Sequence, residues 1–128
     1  MEVEASEIIA GMTYMRLDAV FPAAPDGSDD GLVDFAVAGA IREVLSLSAY
    51  SEIEQCLYEA AADIAAAGFI THALPMRGSP SLASERREGD LTVRYADGHS
   101  AGELILSAAD EMRRRGVASA VSHRKMIW

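Results

Sequence analysis

A mainly α-helical fold, a small bundle with a β-hairpin inserted before the last helix, is predicted by three features of this chain. Through most of the first 75 positions, apolar residues recur at the three- and four-residue spacing of amphipathic helices. Hydrophobic residues make up 50% of the chain but aromatics only 6%, so alanine-rich helices in close contact are expected rather than a bulky aromatic core. One short stretch, 83–96, breaks this pattern, and its second half, 91–96, alternates with period two. At 128 residues the chain is long enough for one domain with its own core. That domain is expected over 1–116, with 117–128 as an extended C-terminal tail.

The first helix is predicted over 5–20, with Ile8, Met12, Met15 and Ala19 on one face and Arg16 and Asp18 pointing elsewhere. Pro22 and Pro25 end it, because proline lacks the N–H and disfavours helical geometry in the residue before it. The loop that follows is acidic. Asp26, Ser28, Asp30 and Gly31 match positions of a calcium-binding loop, but the required bidentate glutamate is Val37, which cannot ligate. Asp29 or Asp30 is expected to cap the next helix instead. That helix, 31–46, is apolar on more than one side, which suits a position between other helices or against a neighbouring subunit. The stretch 51–72 is predicted as the central helix, with Ile53, Leu57, Ala60, Ala61, Ile64 and Gly68 on one face and Ser51 with Glu54 as a capping box. Cys56, beside this stripe, reads as a small buried hydrophobe.

Beyond His72 the composition changes. Pro75, Gly78 and Pro80 mark a loop. Leu91, Val93 and Tyr95 then alternate with Thr92, Arg94 and Ala96 as a strand, joined through Glu88-Gly89-Asp90 to a partner strand over 83–87. Ser100 and Glu103 cap a last helix, 101–115, buried through Leu104, Ile105, Ala108 and Met112. Arg113, Arg114 and Arg115 suit its C-terminus and Gly116 its stop.

Charge and composition exclude several function classes. The net charge is −9, unevenly placed: residues 1–75 hold 13 acids against Arg16 and Arg42, residues 76–128 seven acids against nine bases. Opposite signs on the two halves suit a protein that stacks its basic part on acidic surfaces, copies of itself included. An acidic chain is the reverse of the usual nucleic-acid footprint. A single cysteine allows no internal disulfide, the first residues are acidic rather than leader-like, and no run approaches a membrane span. A soluble chain made in the cytoplasm is expected, with no membrane partner. No phosphate loop, metalloprotease helix, paired-cysteine motif or nucleophile elbow is present, and His72, His99 and His123 fall on separate elements. A binding or assembly module is therefore expected, not an enzyme, with no catalytic residue, cofactor or metal.

The order of parts, with Ser84, Glu85, Gly89, Asp90, Leu91, Val93 and Tyr95, resembles the head–tail connector (adaptor) proteins of tailed bacteriophages and gene transfer agents. Those proteins follow an alanine-rich bundle with a segment of the form S-E-x-x-G-D-x-S-V-x-Y. Here one extra residue separates Glu85 from Gly89, and Thr92 stands in place of the usual serine. The resemblance implies a virion structural protein at the head–tail interface, made in the host bacterial cytoplasm. It implies a ring, typically a dodecamer, beneath the portal protein, extending the DNA channel toward a tail-side connector or stopper protein. DNA would pass without sequence-specific binding. The residues expected at protein interfaces are Arg86, Arg87 and Arg94 of the hairpin, Arg113, Arg114 and Arg115, and Arg124, Lys125, Ile127 and Trp128 of the tail. The alternative is a small helical transcriptional regulator or antitoxin-like dimer, whose basic C-terminal segment binds DNA or a partner.

Overall fold

A computed structural model describes residues 4–24, 26–77 and 101–124. Its helices are α1 (Ala5–Val20), α2 (Asp30–Ser48), α3 (Tyr58–Arg77, preceded by a 3₁₀ turn Gln55–Leu57) and α4 (Ala101–Ser122). The fold is mainly helical, and no strand occurs among the described residues. The expected hairpin at 83–96 lies outside them.

The bundle is organised around α3: α1, α2 and α4 each pack on it more extensively than on one another. All eight residues from Ala60 to Ala67 are buried, so α3 is covered on every side along this run. Alanine makes that possible. Its methyl group fills little space, and three helices can approach one axis at once. Phe21 and Phe69 pack against each other at one end, ring centroids 6.4 Å apart.

Helix α1 occupies the predicted span, but its inward face differs. Ile9, Thr13 and Leu17 are buried, while Ile8 and Met15 are exposed. Thr13 satisfies its hydroxyl by donating to the Ile9 carbonyl at 2.7 Å, so a polar residue holds a core position at little cost. Phe21, ahead of Pro22, leaves helical geometry (φ −151°, ψ 80°) as a pre-proline residue should. Helix α2 starts at Asp30 rather than 31 and runs two residues past the predicted end. Val33, Val37, Ala40 and Val44 form its buried face. Ala49 closes it in the left-handed conformation, φ 63°.

Two expected boundaries are corrected. Glu54 is extended (φ −116°, ψ 160°), so the Ser51–Glu54 capping box does not form and the helical path starts only at Gln55. The chain needs 49–54 to turn from α2 into α3. At the far end α3 continues through Pro75 to Arg77, because Ala73 and Leu74 still bury their side chains against the core. Cys56 is exposed, not buried, since the core stripe begins one residue later at Leu57.

The largest correction concerns the C-terminal region. Helix α4 does not stop at Gly116 but continues to Ser122, so 117–122 is helix rather than extended tail. The reason is the line Ala109, Met112, Gly116, Ala120, all buried on α3. Leu104, expected inside, is half exposed. Gly116 is the point of closest approach. A Cβ there would lie 2.8 Å from Ile64 Cγ1 and 2.9 Å from the Ala60 carbonyl oxygen. Alanine at this position would gain about 1 kcal/mol of helix propensity. Overpacking against a backbone carbonyl, which cannot rotate away, costs up to about 3 kcal/mol and outweighs it. Gly116→Ala is thus expected to lower stability by about 2 kcal/mol in urea denaturation. A stabilised variant would place the α3–α4 crossing elsewhere.

Candidate interaction surfaces

Asp63 stands alone in an alanine run, its side chain only 6% exposed. Its carboxylate accepts from Arg16 Nε of α1 at 2.7 Å, and from Arg115 Nη2 and Nε of α4 at 3.1 and 3.3 Å. Arg16 also reaches Glu59 at 2.5 Å. Three helices are thereby pinned by one buried acid between two guanidiniums. Asp63 and the carboxylates near it hold the Arg115 pKa above its ordinary value. Helical spacing in α1 predicts an outer face for Arg16, and the periodicity of α3 gives Asp63 no distinct role. The available signal was an acid inside Ala60–Ala67, where a charge needs a partner.

The other arginines of the expected interface are also placed. Arg113 makes a two-pronged bond to Glu43 of α2, at 2.6 and 3.1 Å. Arg114 pairs within its own helix with Asp110. Arg113 and Arg115 thus tie α4 to the bundle. Arg124 is exposed just beyond α4. Arg86, Arg87, Arg94, Lys125, Ile127 and Trp128 lie outside the described residues, as does His99.

In the acidic loop each aspartate has a local role. Asp26 accepts from the Ser28 N–H at 2.9 Å, and Asp29 accepts from the Ala24 N–H at 2.8 Å instead of capping α2 through its side chain. Asp30 accepts the Tyr14 hydroxyl, joining α1 to the start of α2. No group of three His, Cys, Asp or Glu side chains among the described residues is placed to hold a metal ion. His123 Nδ1 lies 2.9 Å from the Ser119 carbonyl oxygen, and His72 is exposed on α3.

Partial burial, the bond to Asp30, and the charges of Asp30, Asp34 and Asp29 push the Tyr14 pKa up from 10.0 to about 12. The folded chain thus favours the neutral phenol. Its contribution to stability is fully present below pH 10.0, the unfolded value, and is lost as pH rises through about 12. Ultraviolet titration should find Tyr14 ionising late, alongside Tyr50, whose pKa is raised chiefly by its hydrogen bond with Cys56, and Asp30→Asn should lower the Tyr14 midpoint alone. Tyrosines that all ionise together would remove the Tyr14–Asp30 bond from the solution structure.

Open grooves run along the bundle. One, about 800 Å³, lies between α1 and α2, with Ala10, Gly11, Val37, Ala38 and Ile41 as its apolar lining and Glu4, Glu7 and Asp34 at its edges. A second, about 270 Å³, is bounded by Phe35, Gly39, Ile64, Gly68, Phe69 and Arg113. Phe35 and Met15 are each more than 70% exposed, and Leu104 is half exposed. No helix among the described residues is long and apolar enough to cross a membrane. No family model, curated protein or solved structure matches this chain.

Proposed function

We propose that this chain is a virion structural protein, a head–tail adaptor that assembles as a ring beneath a portal protein and continues the DNA channel toward the tail. The observation that carries the reading is the set of large apolar side chains left outside a bundle whose own core is closed: Met15 on α1, Phe35 on α2, Leu104 on α4. Exposed apolar groups on several faces suit a subunit with neighbours on more than one side. The motif of Ser84, Glu85, Gly89, Asp90 and Tyr95 adds the resemblance to adaptors. Net charge of −9 suits a channel wall that DNA must pass without adhering. In this role the chain carries no catalytic group, cofactor or metal, and its partners are its own copies, the portal and a tail-side connector.

The purified chain, imaged by negative-stain electron microscopy and co-sedimented with portal rings, provides the test. Rings that bind the portal support the reading. A compact dimer whose DNA affinity falls steeply with salt would replace it with the regulator.

A further inference from the structure

The α1–α2 groove has the chemistry of a peptide site. Its lining is apolar because small residues, Ala10, Gly11 and Ala38, leave a gap where two helices would otherwise close. A side chain at Gly11 would meet nothing within 4 Å, so the gap is open to an incoming group. Glu4, Glu7 and Asp34 stand at its edges, and among the described residues no cation pairs with any of the three. Tyr14 lines the groove and its hydroxyl bonds Asp30, which adds a further negative charge at that end.

One segment of this chain carries the matching pattern. Residues 124–128 read Arg-Lys-Met-Ile-Trp, two cations followed by three apolar residues ending in the only tryptophan. An aromatic anchor seated in an apolar gap, with cations on an acidic rim, is a common way for a short peptide to bind. Five residues extend to about 17 Å, some three turns of helix, and the groove's volume falls in the range that takes one or two large side chains.

We propose that segment 124–128 of one copy docks in the α1–α2 groove of a second copy, Trp128 and Ile127 on the apolar lining and Arg124 and Lys125 against Glu4, Glu7 and Asp34. The contact is head-to-tail, since groove and segment are different surfaces, and repeated contacts of that kind form a ring when the rotation between copies closes. The unequal charge of the two halves of the chain favours it. This inference rests on the ring reading above and assigns one of its interfaces.

Trp128 is its own probe. Its emission in the full chain should shift to the blue as concentration rises, in step with the sedimentation coefficient. Gly11→Leu, which fills the gap, and Glu7→Lys should each weaken self-association at least tenfold and keep the indole in water. Circular dichroism should be unchanged. Lys125→Glu should weaken it likewise, and Glu7→Lys with Lys125→Glu in one chain should recover it. Mixing Gly11→Leu with Lys125→Glu should give pairs that stop at one groove-to-segment contact, because only one intact groove meets one intact segment.

Rings that persist in all variants with tryptophan in water would overturn the groove assignment and leave the ring reading standing. A blue-shifted indole in a chain that sediments as a monomer would show that the segment fills its own groove, overturning the assignment between copies. A chain monomeric at every concentration with a solvated indole would overturn both.

Discussion

Phe69→Ala is expected to remove about 4 kcal/mol of stability, the largest effect of any single truncation in this bundle. The side chain is fully buried, touches Phe21 from the end of α1, and borders the smaller groove between α2, α3 and α4. Alanine removes one of the two largest buried side chains and leaves its partner Phe21 facing a void, beside a run of small alanines on α3. The surrounding alanines cannot extend to fill the void. A domain of this size has about 5–15 kcal/mol in total, so melting should fall by roughly 20 °C. Phe35→Ala is the control. Its ring is 72% exposed, so it should alter stability by no more than about 0.5 kcal/mol. It should instead weaken assembly where that ring meets a neighbour. Equal destabilisation by both variants would show that the aromatic core is misplaced.

Which parts of this architecture were legible follows from what helical periodicity encodes. The central helix was readable, because Leu57, Ala60, Ala61 and Ile64 repeat over several turns and are all buried. The start of α1 and its end at Pro22 were also readable, one from the period and one from proline's missing N–H. Faces were harder. Ile8 and Ile9 are adjacent on α1, and only contact with α3 decides that Ile9 turns inward. Gly116 was misread for a physical reason: glycine stops a helix when the chain needs φ above zero, but also sits where two backbones nearly touch. Nothing local separates the two. The Ala60 carbonyl across the interface does, and it lies more than fifty positions away. The same distance in sequence hid the ion-pair hub. Arg16, Asp63 and Arg115 belong to three helices, and each resembles an ordinary surface charge until the helices pack.

The hub supplies the second large effect. Asp63→Ala should cost about 3 kcal/mol, the lower end of what breaking a buried ion pair typically costs. The carboxylate itself is not the expensive part. Its loss leaves the Arg16 guanidinium, 19% exposed, without its buried partner while desolvated by α1 and α3. Arg16 keeps Glu59 and a bond to the Met12 carbonyl at 3.3 Å, which places the loss at the lower end rather than the upper. Arg115→Ala should cost much less, about 1 kcal/mol, because the side chain removed is 59% exposed and the buried Asp63 it leaves keeps its bond to Arg16. Asp63→Ala combined with Arg16→Met should recover part of the loss, since an apolar side chain in the same position has no charge to leave unpaired. Urea denaturation of the four chains separates these contributions. If Asp63→Ala costs no more than Arg115→Ala, the pairing with Arg16 adds nothing to the bundle. If the Arg16→Met double variant is no more stable than Asp63→Ala alone, the cost lies in lost packing around Asp63 rather than in a stranded charge.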